Sequence, residues 1–236
     1  MKKQEKIIAM FNEISPSYDK ANRILSFGVD ISWRQKACKK VLRCFTDNSS
    51  LKILDVACGT GDMIEIWQEC AKEQNKKIAK IQGIDPSEGM LEVAKSKFKD
   101  VDFIQALATE LPQKNNEMDI LSISYGIRNV VQRKEALDEF ARVLKKDGIL
   151  LVLEFTKRQK GGIIALLRDF YLKHILPLIG GYISKNKEAY KYLPNSIDGF
   201  LSKDEFIKEL EKAGFDMMFF ESFSFGVSSM FVARKV

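Results

Sequence analysis

The residues best placed to do chemistry stand together in Asp55-Val56-Ala57-Cys58-Gly59-Thr60-Gly61-Asp62. Small residues at 57, 59 and 61 let the chain turn sharply and let a ligand touch backbone. A dinucleotide fingerprint would read G-x-G-x-x-G and set a pyrophosphate on the next helix N-terminus. Here the pattern is D-x-A-x-G-x-G-D, with a carboxylate on either side of the loop. Those acids would repel a pyrophosphate, whereas a cation with an amino group, such as S-adenosylmethionine, suits them. Asp55, Ala57, Gly59, Thr60, Gly61 and Asp62 are therefore candidate binding residues for the sulfonium cofactor and argue against NAD. Any tight strand-to-helix turn can use glycine, so a second signal is needed. Gly83-Ile84-Asp85 provides it: an acid at the end of the next strand can accept both ribose hydroxyls. Its bland alternative is a helix N-cap ahead of Pro86.

The elements that must position these residues alternate. Apolar runs predict strands over Leu51–Ala57, Ile78–Asp85, Val101–Gln105, Met118–Tyr125 and Gly148–Phe155. Helices are expected between most of them, over about 63–74, 88–98 and 132–144, the last stopped by Lys145-Lys146-Asp147-Gly148. Strands separated by single helices imply parallel βαβ units in a covered sheet. Residues 1–48 read as a mostly helical N-terminal extension, broken at Ser15-Pro16 and Phe27-Gly28. A helical insertion spans 157–195, followed by an amphipathic helix over Leu201–Ala213. Strands near Phe215–Phe223 and Val227–Arg234 close the chain as an antiparallel hairpin. The expectation is one α/β domain over 1–236, doubly wound, with a mostly parallel sheet and an antiparallel last strand.

The motifs then become recognisable. The chain resembles the ubiquinone/menaquinone biosynthesis C-methyltransferase family along nearly its whole length, and is most similar to members that act on demethylmenaquinone. The likeness rests on Ser15-Pro16-Ser17-Tyr18-Asp19, Leu25-Ser26-Phe27-Gly28, Trp33-Arg34 and the Asp55–Asp62 loop. Its most specific parts are Tyr125-Gly126-Ile127-Arg128-Asn129-Val130, Leu153-Glu154-Phe155 and Tyr192-Leu193-Pro194-Asn195-Ser196-Ile197. The resemblance implies a class I S-adenosylmethionine-dependent methyltransferase, Rossmann-like, with a seven-stranded sheet. It adds Leu107, Ala108 and Ser124 to Thr60 and Asp85 as cofactor contacts. Relatives often carry Asn or Asp at position 107, so Leu107 can offer the adenine only its backbone.

The implied reaction is methyl transfer to a ring carbon of a reduced polyprenyl quinone, demethylmenaquinol to menaquinol or the ubiquinone counterpart. Loss of a phenolic proton pushes electron density onto that carbon, so a charge stabiliser or base is wanted. Arg128 and Asn129, just past the fourth strand, are the candidates, with Glu154 as partner or alternative base. Arg128 cannot serve as a plain base, because its pKa lies above about 12. Tyr18 and Tyr125 are candidates to line the ring pocket. The lone His174 sits beside Lys173 in an apolar stretch and reads as a packing or interfacial residue.

Charge and composition set the setting. The net charge of +6 is carried entirely between Lys157 and Lys191, where eight basic residues face Asp169 and Glu188 alone. The same region holds the longest apolar stretch, Ile163–Ile183, interrupted by Arg168, Asp169, Lys173 and His174. Such charges exclude a spanning helix, and basic plus apolar character fits contact with an anionic membrane surface, or alternatively a homodimer interface. Four cysteines without a two-residue gap give no metal-ligand or redox spacing, so no metal is expected. The polar start of the chain shows no secretory signal, which with free thiols places it in the cytoplasm, peripheral at the inner membrane face. No base-flipping motif is present, so a nucleic-acid partner is not expected. The remaining rivals are a methyltransferase acting on a small soluble acceptor and a silent nucleotide-binding scaffold.

Overall fold

The structure, a computed structural model, describes residues 2–46, 50–157 and 186–236. Its strands are β1 (Ser50–Val56), β2 (Lys77–Asp85), β3 (Asp102–Gln105), β4 (Met118–Ser124), β5 (Leu144–Glu154), β6 (Phe215–Phe223) and β7 (Ser228–Lys235). They form one sheet in the order β3-β2-β1-β4-β5-β7-β6. Strands β1 to β5 pair in parallel, and β7 runs antiparallel to both β5 and β6. The mostly parallel layout with an antiparallel last strand is as expected from the sequence.

Alternate residues of the central strands feed two separate cores, which is why these strands read as unbroken apolar runs. Ile53, Ile120 and Leu151 face one side, with Trp33, Ala37, Ile64, Trp67 and Leu91. Leu54, Leu121, Leu150 and Val152 face the other, with Leu137, Phe140, Phe206 and Phe231. The first face is covered by α3 (Val29–Leu42), α4 (Asp62–Glu73) and α5 (Glu88–Lys97), the second by α6 (Arg133–Val143) and α8 (Lys203–Lys212). Helix starts follow local chemistry. Ser87 accepts the Met90 N–H at the head of α5, and Ser202 and Glu205 form a reciprocal cap on α8. Trp67 is fully buried and donates its Nε1–H to Ser122 Oγ at 3.0 Å. Removing a buried side chain of this size costs about 3–5 kcal/mol.

Residues 3–42 are helical as expected, in three helices divided at the expected breaks. The chain runs α1 (Lys3–Ile14), a 3₁₀ turn at Ser15–Ser17, α2 (Tyr18–Ser26) and α3. Phe27 and Gly28 take φ of 52° and 73°, and two successive left-handed residues separate α2 from α3. Ile14, Ala21, Leu25 and Met90 make a third, smaller core that ties α1 and α2 to α5. One difference concerns Lys145–Gly148, expected to be a helix stop. Strand β5 already begins at Leu144, which pairs with Met118 before the register slips to Ile149 opposite Ile120. The turn-like residues are a bulge inside the ladder, with Asp147 at φ 61°.

Of the helical insertion expected over 157–195, the structure describes only α7 (Lys187–Asp198), which continues past Pro194. The segment 163–183 and His174 lie outside the described residues.

The strand order creates the site. From β1 the chain moves outward through β2 to β3, then returns to β4 on the other side of β1. The connections leaving β1 and β4 therefore diverge, and a crevice opens beyond their carboxyl ends.

Candidate active site

Two loops meet at that crevice. Ala57 after β1 and Tyr125 after β4 both hold a left-handed backbone, with φ of 51° and 58°. Such conformations cost about 1–3 kcal/mol in a non-glycine residue and persist where surrounding structure enforces them. Here the Tyr125 N–H is held by the Leu153 carbonyl at 2.7 Å. The loops also touch. A Cβ built on Gly126 would lie 2.6 Å from the Ala57 Cβ, so position 126 has room only for hydrogen.

Beyond these strand ends lies a cavity of about 850 Å³, counting its open mouth. Ala57, Gly59, Asp85, Leu107, Ala108 and Ser124 line it, and Ile7 and Phe11 of α1 wall its far side. Asp85 accepts the Gly59 N–H at 2.9 Å and the Ser87 N–H at 2.8 Å. Burial raises its pKa to about 6, against the lowering effect of these two bonds. The Ser124 hydroxyl is buried and has no hydrogen-bond partner among the described residues. An orphaned hydroxyl on a cavity wall is costly unless a ligand completes it. A carboxylate, an orphaned hydroxyl and an open glycine backbone together fit a nucleoside.

The rest of the Gly loop does not line either cavity. Asp55 is 1% exposed and accepts from Ser122 Oγ at 2.6 Å, and burial pushes its pKa up to about 7. Thr60 donates to Asp19, and Gly61 packs against Phe98. Asp62 is paired with Arg23 at 2.6 Å. The flanking carboxylates that the sequence suggested would face a cationic ligand thus have partners within the protein.

A second, larger cavity of about 1280 Å³, counting its mouth, adjoins the first. Its walls are mainly apolar, from Met10, Ile14, Leu25, Trp33, Phe155 and Leu193. Phe11, Tyr18 and Tyr125 line both cavities and so form the boundary between them. Tyr125 stacks on Phe155 with ring centroids 4.6 Å apart, and its hydroxyl lies 2.9 Å from Ser228 Oγ. Burial raises the Tyr125 pKa to about 12, so it is a neutral phenol.

Arg128 and Asn129 follow on a single 3₁₀ turn. Arg128 reaches the second cavity and pairs through Nη1 with Glu154 Oε1 at 2.8 Å. It also donates to the Tyr125 carbonyl and, through Nε, to Ser196 Oγ at 3.2 Å. Glu154 is fully buried and accepts the backbone N–H groups of Arg128 and Phe155 as well. Burial raises its pKa, while Arg128 and these N–H groups lower it. It lines neither cavity, so its reach is to Arg128. Asn129 faces the first cavity and accepts the Tyr192 hydroxyl at 3.0 Å. The sequence marked Tyr192 and Ser196 only as members of a family-like motif, with no role, and did not mark Ser228; these partners come from 63 to 103 residues away. Nor did it single out Asn12, whose side chain bonds Ser87 Oγ at 2.7 Å and the Gly89 N–H at 3.0 Å.

A doubly wound sheet of this order, with a glycine turn after β1 and an acid ending β2 on one crevice, defines a Rossmann-like class I methyltransferase. Solved structures agree at the level of fold. A possible histamine N-methyltransferase from Thermotoga maritima matches with TM-score 0.60 at 20% identity, covering 98% of this chain and 100% of its own. A methyltransferase partner of the Trm112 activator from Haloferax volcanii matches with TM-score 0.64 at 15% identity, covering 95% and 96%. The chain belongs to the ubiE/COQ5 methyltransferase family, whose model matches residues 1–235. It is 68% identical over 236 residues, the full length of both chains, to a ubiquinone/menaquinone biosynthesis C-methyltransferase of Campylobacter jejuni. It is 36% identical over 239 residues, 100% of this chain and 98% of the other, to a demethylmenaquinone methyltransferase of Thermotoga maritima.

Proposed function

We propose that this enzyme transfers a methyl group from S-adenosylmethionine to a ring carbon of a reduced polyprenyl quinone precursor, converting demethylmenaquinol to menaquinol. The family and the full-length likeness to quinone-methylating enzymes support the reaction. The observation that carries the reading is the pairing of two cavities across one boundary of Phe11, Tyr18 and Tyr125. The first holds the Asp85 carboxylate and the unpartnered Ser124 hydroxyl, and the second is larger and walled mainly by apolar side chains. A small soluble acceptor would not need the larger apolar chamber.

When bound, the cofactor supplies an electrophilic methyl group on a sulfonium. Asp85 is placed to accept the ribose hydroxyls, Ser124 and the Gly59 backbone to bond the nucleoside, and Leu107 and Ala108 to flank the base. Tyr18, Tyr125 and Phe11 orient the acceptor ring toward the boundary and exclude water. Positioning of this kind supplies about 7–11 kcal/mol in favourable cases. Arg128 steadies the oxygen that loses its proton, and Asn129, fixed by Tyr192, borders the boundary from the cofactor side. Glu154 positions Arg128 from beneath.

A polyprenyl tail keeps the acceptor in a bilayer, so the enzyme works at the membrane surface as a peripheral protein on the cytoplasmic side. No helix among the described residues is long and apolar enough to cross a membrane. We assign lipid contact to the apolar stretch 163–183, set within the basic region 157–191, with a homodimer interface as its rival. Acidic substitutions at Leu167 and Phe170 separate the two. Lost vesicle binding supports lipid contact, and lost self-association with vesicle binding intact supports the dimer.

The reaction is tested by incubating the protein with methyl-labelled S-adenosylmethionine and reduced demethylmenaquinone in liposomes. Mass spectrometry should find label on the quinone ring carbon. Cofactor binding with no label in the quinone would overturn the acceptor and favour a soluble one.

A further inference from the structure

The apolar cavity has a second cation. Arg34, on α3, lines it and is only 7% exposed. One end of its guanidinium is anchored: Nη1 bonds Asp30, which Arg23 and Ser26 also hold, and Nη2 lies 3.9 Å from Asp62. Its Nε–H is buried with no partner among the described residues. The arrangement mirrors Arg128. Arg34 lies 5.2 Å from the Tyr125 ring centroid and Arg128 lies 5.3 Å from that of Phe155, and these two rings stack on each other. A buried guanidinium donor with no acceptor is costly, more so than a neutral one. A reduced quinone carries two ring oxygens on opposite sides, either of which could satisfy it.

We propose that Arg34 is a substrate-binding residue whose Nε–H donates to a ring oxygen of the reduced acceptor and stabilises the oxyanion formed there. This rests on the quinol reading above and adds a residue to it. Asp30 holds Nη1 and so fixes the plane of the guanidinium, while Nε has no partner among the described residues. Lysine keeps the charge toward Asp30 but has no Nε–H donor in that fork.

The test compares wild type with Arg34→Lys, Arg34→Gln and the double variant Asp30→Asn/Arg34→Gln, which removes both ends of the anchoring pair. The acceptor is reduced demethylmenaquinone in liposomes, and S-adenosylhomocysteine binding is measured alongside. Wild-type turnover is read first, so failure of the quinol reading shows before any variant is compared. The expected result is S-adenosylhomocysteine affinity within a few-fold of wild type, with kcat lowered on the order of 10²-fold in every variant that binds it. The acid limb of the kcat profile should move to higher pH by about one unit, because the oxyanion has lost its donor. If Arg34→Gln fails to bind cofactor, the lysine and double variants decide by the same readings. Wild-type kcat and an unmoved pH profile in a variant that binds cofactor would overturn the proposal.

Discussion

The two cavities are built from different parts of the chain. The first is made mainly by strand ends and their loops, Ala57 and Gly59 after β1, Asp85 ending β2 and Ser124 ending β4, with α1 as its far wall. Much of what it offers a ligand is backbone and one carboxylate. The second is made largely by side chains of helices outside the sheet: Met10 and Ile14 of α1, Leu25 of α2, Trp33 and Arg34 of α3, Leu193 of α7. The doubly wound sheet brings a crevice to its switch point by topology alone. Among the described residues, the second cavity is formed where the N-terminal helices and α7 are laid over that crevice. Substitutions in the two regions should therefore separate cleanly into cofactor affinity and acceptor turnover.

The largest effect is expected where the acceptor side reaches into the core. Glu154→Ala leaves Arg128 without its carboxylate in a buried site, which should cost about 3–5 kcal/mol of stability. The melting temperature should fall by about 10 °C, at roughly 2–4 °C per kcal/mol for a chain of this size. Quinol turnover should drop by more than 10²-fold while S-adenosylhomocysteine still binds to the folded fraction. Equal loss of cofactor affinity would break the division between the regions.

On the proposed cofactor side, Asp85→Asn should weaken S-adenosylhomocysteine about 10- to 100-fold, the range of hydrogen bonds to a charged group. Its pH dependence follows from a pKa raised by burial to about 6. The ionised form accepts the ribose hydroxyls, so wild-type affinity should fall as pH drops through about 6. The asparagine variant should show no such fall in titration calorimetry.

The smallest effects sharpen the contrast within the Gly loop itself. Asp55 has a folded pKa near 7 against an ordinary 3.8, so its contribution to stability is full below the ordinary value and is lost as pH rises through about 7. Asp55→Asn should therefore raise the melting temperature above pH 7 and leave cofactor affinity within a few-fold of wild type. Ser124→Ala removes an orphaned hydroxyl, so stability should hold or rise. Cofactor affinity should fall about 2- to 10-fold, the net worth of one neutral hydrogen bond.

The same contrast explains what the sequence made legible. Strands β1, β2 and β4 announce themselves as apolar runs, and the glycine turn and Asp85 are local in sequence, so these parts of the first cavity could be named from residue types, while Leu107, Ala108 and Ser124 came from the family resemblance. Two local readings misled. Lys145–Gly148 has turn composition but is drawn into β5 through the pairing of Leu144 with Met118, a tertiary fact. Asp55 and Asp62 flank the glycines, yet Ser122 lies 67 residues from one and Arg23 lies 39 from the other, and these partners redirect both carboxylates. The acceptor chamber was legible only as single names. Tyr18, Tyr125 and Arg128 could be listed, but their meeting depends on how α1, α2, α3 and α7 pack over the crevice. Arg34 was legible only as half of the family-like Trp33-Arg34 pair, with no role attached. Its unpartnered Nε emerges only when Asp30 and Asp62 are seen to engage the other end.

The central claim is one boundary with two occupants, and a co-crystal structure tests it most directly. The protein would be crystallised with S-adenosylhomocysteine and a short-tailed reduced demethylnaphthoquinone. The expected result is the ribose on Asp85, a polar atom of the nucleoside on Ser124, and the ring beyond Tyr18 and Tyr125 against Phe155. A ring outside that chamber, or a nucleoside that leaves Asp85 and Ser124 untouched, would contradict the account.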